Sequence, residues 1–171
     1  MKVYVAADHA GFTLKELVKA ALLGQGYEVE DCGAATHDAH DDYPDFMSKA
    51  ADKVAHNPFD RAVIIGGTGQ GEAMVANKFP HVRAAVFYGT KEPRTSVDAS
   101  GRESSDPYEI VRLARLHNDA NVLSLGARFL TDDEALTAVR LFLTTAFSGE
   151  ERHVRRLKKL EDREREAHGS Y

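Results

Sequence analysis

Residues 62–78 read AVIIGGTGQGEAMVANK, and within them an acid stands directly behind four closely spaced glycines. Gly66, Gly67, Gly69 and Gly71 frame Thr68 and Gln70, so the backbone there can turn tightly and come close to a ligand. A turn of that composition, between a strand's end and a helix's start, presents unpaired N–H groups suited to an anion or an oxyanion. Glu72 follows at once. A cradle for anions alone would exclude a carboxylate, so Glu72 points to proton transfer beside a developing negative charge. The plainer alternative stays open, since a first-turn acid also complements the helix dipole. Two other phosphate loops do not fit: no Gly-Lys-Ser/Thr follows the glycines, and the third glycine of the dinucleotide fingerprint falls on Glu72.

The elements that must position this stretch follow from hydrophobic period and punctuation. Residues 62–65 suit a strand buried on both faces, and Ala73, Met74, Val75 and Ala76 suit a helix packed on a sheet. Before them come a strand at 2–7 leaving through Asp8-His9-Ala10-Gly11, a helix carrying Leu14, Leu17, Val18, Ala21 and Leu22, and a short strand at 27–30. A polar, acidic loop from Cys32 to Tyr43 leads to a helix from Pro44 through His56. After them come a strand at 82–87, a helix at 108–116, a strand at 121–125 leaving through Gly126-Ala127-Arg128, and a helix capped by Thr131 or Asp132. A last, highly charged helix begins at Ser148, with Val154, Leu157 and Leu160 as a narrow apolar stripe. Residues 89–106 show no apolar period and are expected to form a loop excursion. Strands alternating with helices give an α/β, three-layer domain with a mainly parallel sheet, whose binding crevice lies beyond the carboxyl ends of the strands. Asp8 and His9, Thr68 and Glu72, and Arg128 all fall at such ends.

Composition sets bounds. A chain of 171 residues, 43% hydrophobic and 29% charged, is expected to form one domain over 1–171 with a sizeable core. A net charge of −5 argues against nucleic acid as the main partner. The single cysteine, Cys32, excludes an internal disulfide and a multi-cysteine metal site. The N-terminus meets acid and histidine too early for a secretory signal, and no apolar run reaches membrane-spanning length. A soluble, cytoplasmic protein is the expectation.

Beyond these readings, an ordered set of segments carries a resemblance: ADHAGF at 7–12, DDYP at 41–44, GGTGQGE at 66–72, ANKFP at 76–80, HNDANVLSLGAR at 117–128 and RHVRR at 152–156. The chain resembles the B-type ribose-5-phosphate isomerases, whose wider family includes allose- and galactose-6-phosphate isomerases. The resemblance implies a Rossmann-like fold of five parallel strands and a homodimer, sometimes paired into a tetramer, with no metal and no organic cofactor. Many members carry a cysteine as base just before the turn, where this chain has Gly66. The chain is thus similar to the branch that uses a glutamate at the position of Glu72. The excursion at 89–106 is longer than the connection usual in the family.

Aldose–ketose isomerisation passes through an enediolate and needs a base, donors for the oxyanion, a group to open the sugar ring and an anchor for phosphate. Glu72 suits the base, and Thr68 with the amides from Gly67 through Gly69, Gln70 and Gly71 suits the enediolate oxygens. By resemblance, His117 is the ring-opening acid, Asn118 a sugar-hydroxyl ligand, and Asp8 and His9 contacts to the ring oxygen, hydroxyls or phosphate. Arg128, Arg152 and Arg156 offer forked donors to phosphate. A solvated charged face is the alternative for the last helix, and Arg155, Lys158, Lys159, Arg163 and Arg165 are left with it. His37, His40, His56, His81 and His168 have no role. The function expected is a metal-independent isomerase acting on ribose 5-phosphate. The alternatives are the same chemistry on a tetrose or hexose phosphate, a non-catalytic sugar-phosphate-binding module and, more distantly, a nucleotide-binding Rossmann domain. Neither nucleic acid nor membrane is expected as a partner, and the resemblance implies that Glu72 and His117 meet across the dimer interface.

Overall fold

The computed structural model describes residues 1–167 and the backbone of residue 168. The side chain of His168 and residues 169–171 lie outside the described residues. Among the described residues, five strands and six helices follow one another as β1 (Lys2–Ala7), α1 (Phe12–Gly24), β2 (Glu28–Asp31), α2 (Pro44–His56), β3 (Arg61–Gly66), α3 (Gln70–Ala76), β4 (Ala84–Phe87), α4 (Glu109–Asn118), β5 (Val122–Gly126), α5 (Asp132–Thr144) and α6 (Glu151–His168). The strands form one parallel sheet in the order β2-β1-β3-β5-β4. Helices must then return the chain across both faces, which is why the central strands read as continuous apolar runs.

Alternation along those strands divides the core in two. Val3, Val5, Val63, Ile65, Leu123 and Leu125 face α1, α4 and α5, whose Val18, Val111, Ala138 and Phe142 complete one cluster. Tyr4, Ala6, Ala62, Ile64 and Val122 face α2 and α3 through Met47, Ala50, Val54 and Ala76. At roughly 1.5–3 kcal/mol for each large apolar side chain buried, these two layers hold the sheet rigid beneath its loops.

Element ends differ from the sequence expectation where a backbone group finds a local partner. Tyr27 donates its N–H to Leu22 O at 3.1 Å, closing α1 and delaying β2 to Glu28. Val82 donates to Phe79 O at 3.2 Å, so β4 starts only at Ala84. Thr131 caps α5, joined to Glu134 in a reciprocal capping box. Ser148 lies ahead of α6, its hydroxyl accepting the Glu150 N–H at 3.3 Å, and the helix begins at Glu151. Residues 89–106 contain no helix or strand, yet they are tied down by polar contacts: Arg102 and Ser104 donate to the carboxylate of Glu109 at 2.6 and 2.9 Å. Glu109 is only 2% exposed.

Candidate active site

The Gly-rich turn leaves the carboxyl end of β3, in the middle of the sheet. Gly69 takes φ 76°, a left-handed conformation that suits glycine, and Ser124 of β5 donates its hydroxyl to Gly69 O at 2.6 Å. Glu72, in the first turn of α3, folds back under the loop and is 5% exposed. Its carboxylate occupies the space beside Gly66, where any side chain at 66 would collide with it. Glu72 Oε2 is buried without a hydrogen-bond partner. Burial pushes this carboxyl up from the ordinary glutamate value. The Glu72 N–H opposes that rise, the neighbouring Asp8 adds to it, and the Gly69 N–H and Arg128 oppose it. A buried carboxylate with a free oxygen, next to exposed Thr68 and the turn's amides, can accept a proton and return it.

The ends of β1 and β5 supply the neighbours. Asp8 is buried and accepts the N–H groups of Ala10 and Gly11 at 3.0 and 3.3 Å, which fixes its carboxylate at the mouth of the turn after β1. Arg128 lays its guanidinium over the bare backbone of Gly67 and donates its own N–H to Gly67 O at 3.2 Å. His9 points its Nδ1 at Asp41 Oδ1, 2.7 Å away, and the same oxygen accepts the His9 N–H at 3.0 Å. That bond raises the His9 pKa; burial and Arg128 lower it while the charges of Asp8 and Asp41 raise it further. Asp8, His9 and Asp41 bring ligand-type atoms within 4.8 Å of one another. A cation there would compete with the His9–Asp41 hydrogen bond, so the geometry reads first as a carboxylate–imidazole pair.

The other expected residues gather elsewhere. In the parallel sheet Ala62 pairs with Val122 at one end and Gly66 with Gly126 at the other. Helix α4 runs against the strands and delivers His117 and Asn118 to the amino end, just before β5. Glu72 and His117 of one chain are therefore separated by about the length of a strand, on the order of 15 Å. His117 has Arg152, His153 and Glu150 near it. Arg152 Nε lies 2.8 Å from Glu150 Oε2, though out of hydrogen-bond alignment, and Arg156 is exposed one turn further on. Gln70 is exposed and lines a groove with Met74, Asn77 and Val86.

Sequence reasoning passed over four residues here. Asp41 orients His9, Tyr43 packs against Gly71, Ser124 pins Gly69, and His153 lies against His117. The DDYP segment carries the first two and is the signal that could have found them.

With this geometry in hand, the chain can be set beside known proteins. A model of the ribose/galactose isomerase family matches residues 3–100 and 104–160. The chain belongs to that family. Ribose-5-phosphate isomerase B of Mycolicibacterium paratuberculosis is 38% identical over 165 residues, covering 96% of this chain and 92% of that protein. A 4-deoxy-4-sulfo-D-erythrose isomerase of a Clostridium species is 36% identical over 148 residues, 86% of this chain and 82% of that one. The crystal structure of ribose-5-phosphate isomerase B from Mycoplasma genitalium with bound ribulose-5-phosphate superposes with a TM-score of 0.83 at 38% identity, covering 96% of this chain and 97% of that one. The family match is interrupted only at 101–103, so most of the 89–106 segment lies inside it.

Proposed function

We propose that the protein is an aldose–ketose isomerase that interconverts ribose 5-phosphate and ribulose 5-phosphate through an enediolate, using Glu72 as its base. The observation that carries this is the Glu72 carboxylate, buried beneath a glycine turn with one oxygen free. Membership of the ribose/galactose isomerase family supports it, as does the ligand of the Mycoplasma genitalium relative. The sugar ring opens first, as the ring oxygen gains a proton and the anomeric hydroxyl loses one. Glu72 then takes the C2 proton, and the electron pair becomes the C1–C2 double bond of the enediolate. Thr68 and the amides of 67–71 hold the oxygens where charge develops. Glu72 returns its proton to C1 while the O2 hydroxyl proton passes to O1, leaving a ketone at C2 and a hydroxyl at C1. A raised carboxyl pKa suits a group that must both take and give within one turnover. Asp8 and Asn118 are assigned to sugar hydroxyls, and His9, Arg128, Arg152 and Arg156 to phosphate.

The site is proposed to be shared within a homodimer, with Glu72 from one chain and His117, Asn118, Arg152 and Arg156 from the other. Two features support this. Glu72 and His117 stand at opposite ends of one sheet, and the edge strand β4 is only half covered. Exposed Met74 and Ile110 flank that edge, and a groove of about 660 Å³ runs from it to Leu157 and Leu160 of α6. Unpaired strand edges and apolar patches of this kind call for a partner. Cytoplasmic carbohydrate metabolism, at the pentose phosphate step, is the setting that fits such a reaction and a lone buried thiol. Among the described residues no helix is long and apolar enough to cross a membrane.

A coupled assay over pentose, tetrose and hexose phosphates, with a 4-sulfo tetrose included, tests the reading. Ribose 5-phosphate is expected to give the highest kcat/KM. Turnover of another sugar with none of ribose 5-phosphate would reassign the substrate, and binding without any turnover would make the protein a sugar-phosphate-binding module.

A further inference from the structure

The imidazole of His117 does not stand alone at the end of α4. His153, from the first turn of α6, lies against it with ring centroids 4.3 Å apart and planes tilted by 35°. His153 is 1% exposed, and its Nδ1 lies 2.7 Å from the Ser148 hydroxyl. Ser148 in turn donates its N–H to Leu116 O at 3.1 Å, so the turn between α5 and α6 is fastened to the residue before His117. Three segments thus converge on one imidazole. An ordinary buried histidine serves only to fill space and satisfy a neighbour; this one also lies against the ring assigned to sugar opening.

We propose that His153 is a positioning residue for opening the sugar ring: anchored on Ser148, it fixes the plane of the His117 imidazole and so aims its N–H at the ring oxygen. This rests on the reading of His117 as the ring-opening group. The reaction sends one proton from His117 to the ring oxygen as the C1–O bond breaks, and the anomeric hydroxyl returns one to the imidazole. A neutral imidazole donates at one nitrogen and accepts at the other, so its rotation about the ring plane decides whether the step proceeds. The charges facing His117 favour that neutral form. Burial lowers its pKa most, then His153 and Arg152 of α6; Glu150 of the preceding turn and Asp98 of the 89–106 segment act the other way. Two imidazoles in close contact cannot both carry charge cheaply.

The test compares wild type with His153→Phe, His153→Ala, His117→Ala and the His117→Ala/His153→Ala double variant, each checked for intact fold by circular dichroism. His117 is titrated by NMR, and ribose 5-phosphate turnover is followed across the imidazole range. Phenylalanine keeps a flat slab but loses the Ser148 bond and the second imidazole, so His117 is expected to take its proton at higher pH, and the acid limb of kcat to move with it. His153→Ala is expected to lower kcat roughly 10–100-fold with little change in KM, the scale on which a misaimed group slows a positioned reaction. In the His117→Ala background that loss should vanish. An unchanged His117 titration in His153→Phe, or a His153→Ala loss that adds in full to the His117→Ala loss, would overturn the proposal. Wild-type turnover in His117→Ala would instead remove the ring-opening role, while the NMR titration still reports whether His153 governs the His117 ring.

Discussion

The carboxylate of Glu72 occupies the volume that a side chain at position 66 would need. The two positions are six residues apart, across the turn, yet only one of them can carry a functional group. Glycine at 66 is thus the condition for a buried glutamate at 72. Glu72→Gln is expected to lower kcat on the order of 10²–10⁴-fold. Gly66→Ala, which adds one methyl group, is expected to displace the carboxylate and cost a comparable factor while inorganic phosphate still binds. Alkylation with iodoacetamide should leave turnover nearly intact, because burial pushes the Cys32 thiol up to about 11. Rapid inactivation by the reagent, with an active Glu72→Gln, would reverse the assignment.

Burial of Glu72 also sets a sign for stability against pH. Its pKa is raised in the folded state, so the folded protein holds this proton more tightly than the unfolded chain. Ionised Glu72 therefore subtracts stability above its folded pKa, and the penalty disappears as pH falls through that value. Glu72→Gln is expected to melt higher than wild type at neutral pH, with the difference closing in acid. Calorimetry of both proteins over pH checks this, and a glutamine variant no more stable at neutral pH would mean that the carboxylate is well solvated.

The shared site predicts complementation. Glu72→Gln and His117→Ala proteins should each be nearly inactive. Mixed equally, dissociated and reassembled, they form hybrids as about half of all dimers, and each hybrid keeps one site free of both changes. Recovery of roughly a quarter of wild-type activity is expected. Recovery no higher than the mean of the parents, with exchange verified by native mass spectrometry, would place both residues in one chain's site.

The 89–106 segment offers a different measurement. Shortening it looks harmless from a sequence without apolar period, but Arg102 and Ser104 hold the buried carboxylate of Glu109. Replacing 90–104 by a Gly/Ser link is expected to destabilise the fold by about 1–3 kcal/mol, the cost of leaving such a group unpaired. Adding Glu109→Gln to the shortened chain should restore part of that loss. Urea unfolding of the three proteins decides, and equal stability throughout would show that water satisfies Glu109.

Much of this architecture is written in local pattern. The strand–turn–helix at 61–76, the five strands and Glu72 at the turn all follow from period, glycine and charge within a few residues. What could not be read are relations between distant positions. Asp41 reaches His9 across 32 residues, and Ser124 reaches Gly69 across 55. Each bond depends on which strands become neighbours, and a polar residue in a loop or strand does not announce its partner. The tie between Arg102 and Glu109 spans only seven positions, yet no helical or strand period marks it. His153 was hidden in another way: among the charges of α6 it looks solvent-facing, and only the packing of that helix end on α4 buries it.

The distance between Glu72 and His117 along the sheet has a genetic side. If each site borrows from both chains, a chain carrying Glu72→Gln and His117→Ala together would not be a silent passenger beside a normal copy. In a mixed dimer its two lesions fall in different sites, one in each, and both sites fail. Equal co-expression would leave only about a quarter of the dimers active, below the half that dilution alone predicts. Two separate single lesions rescue each other, whereas the same two lesions on one chain poison the wild type.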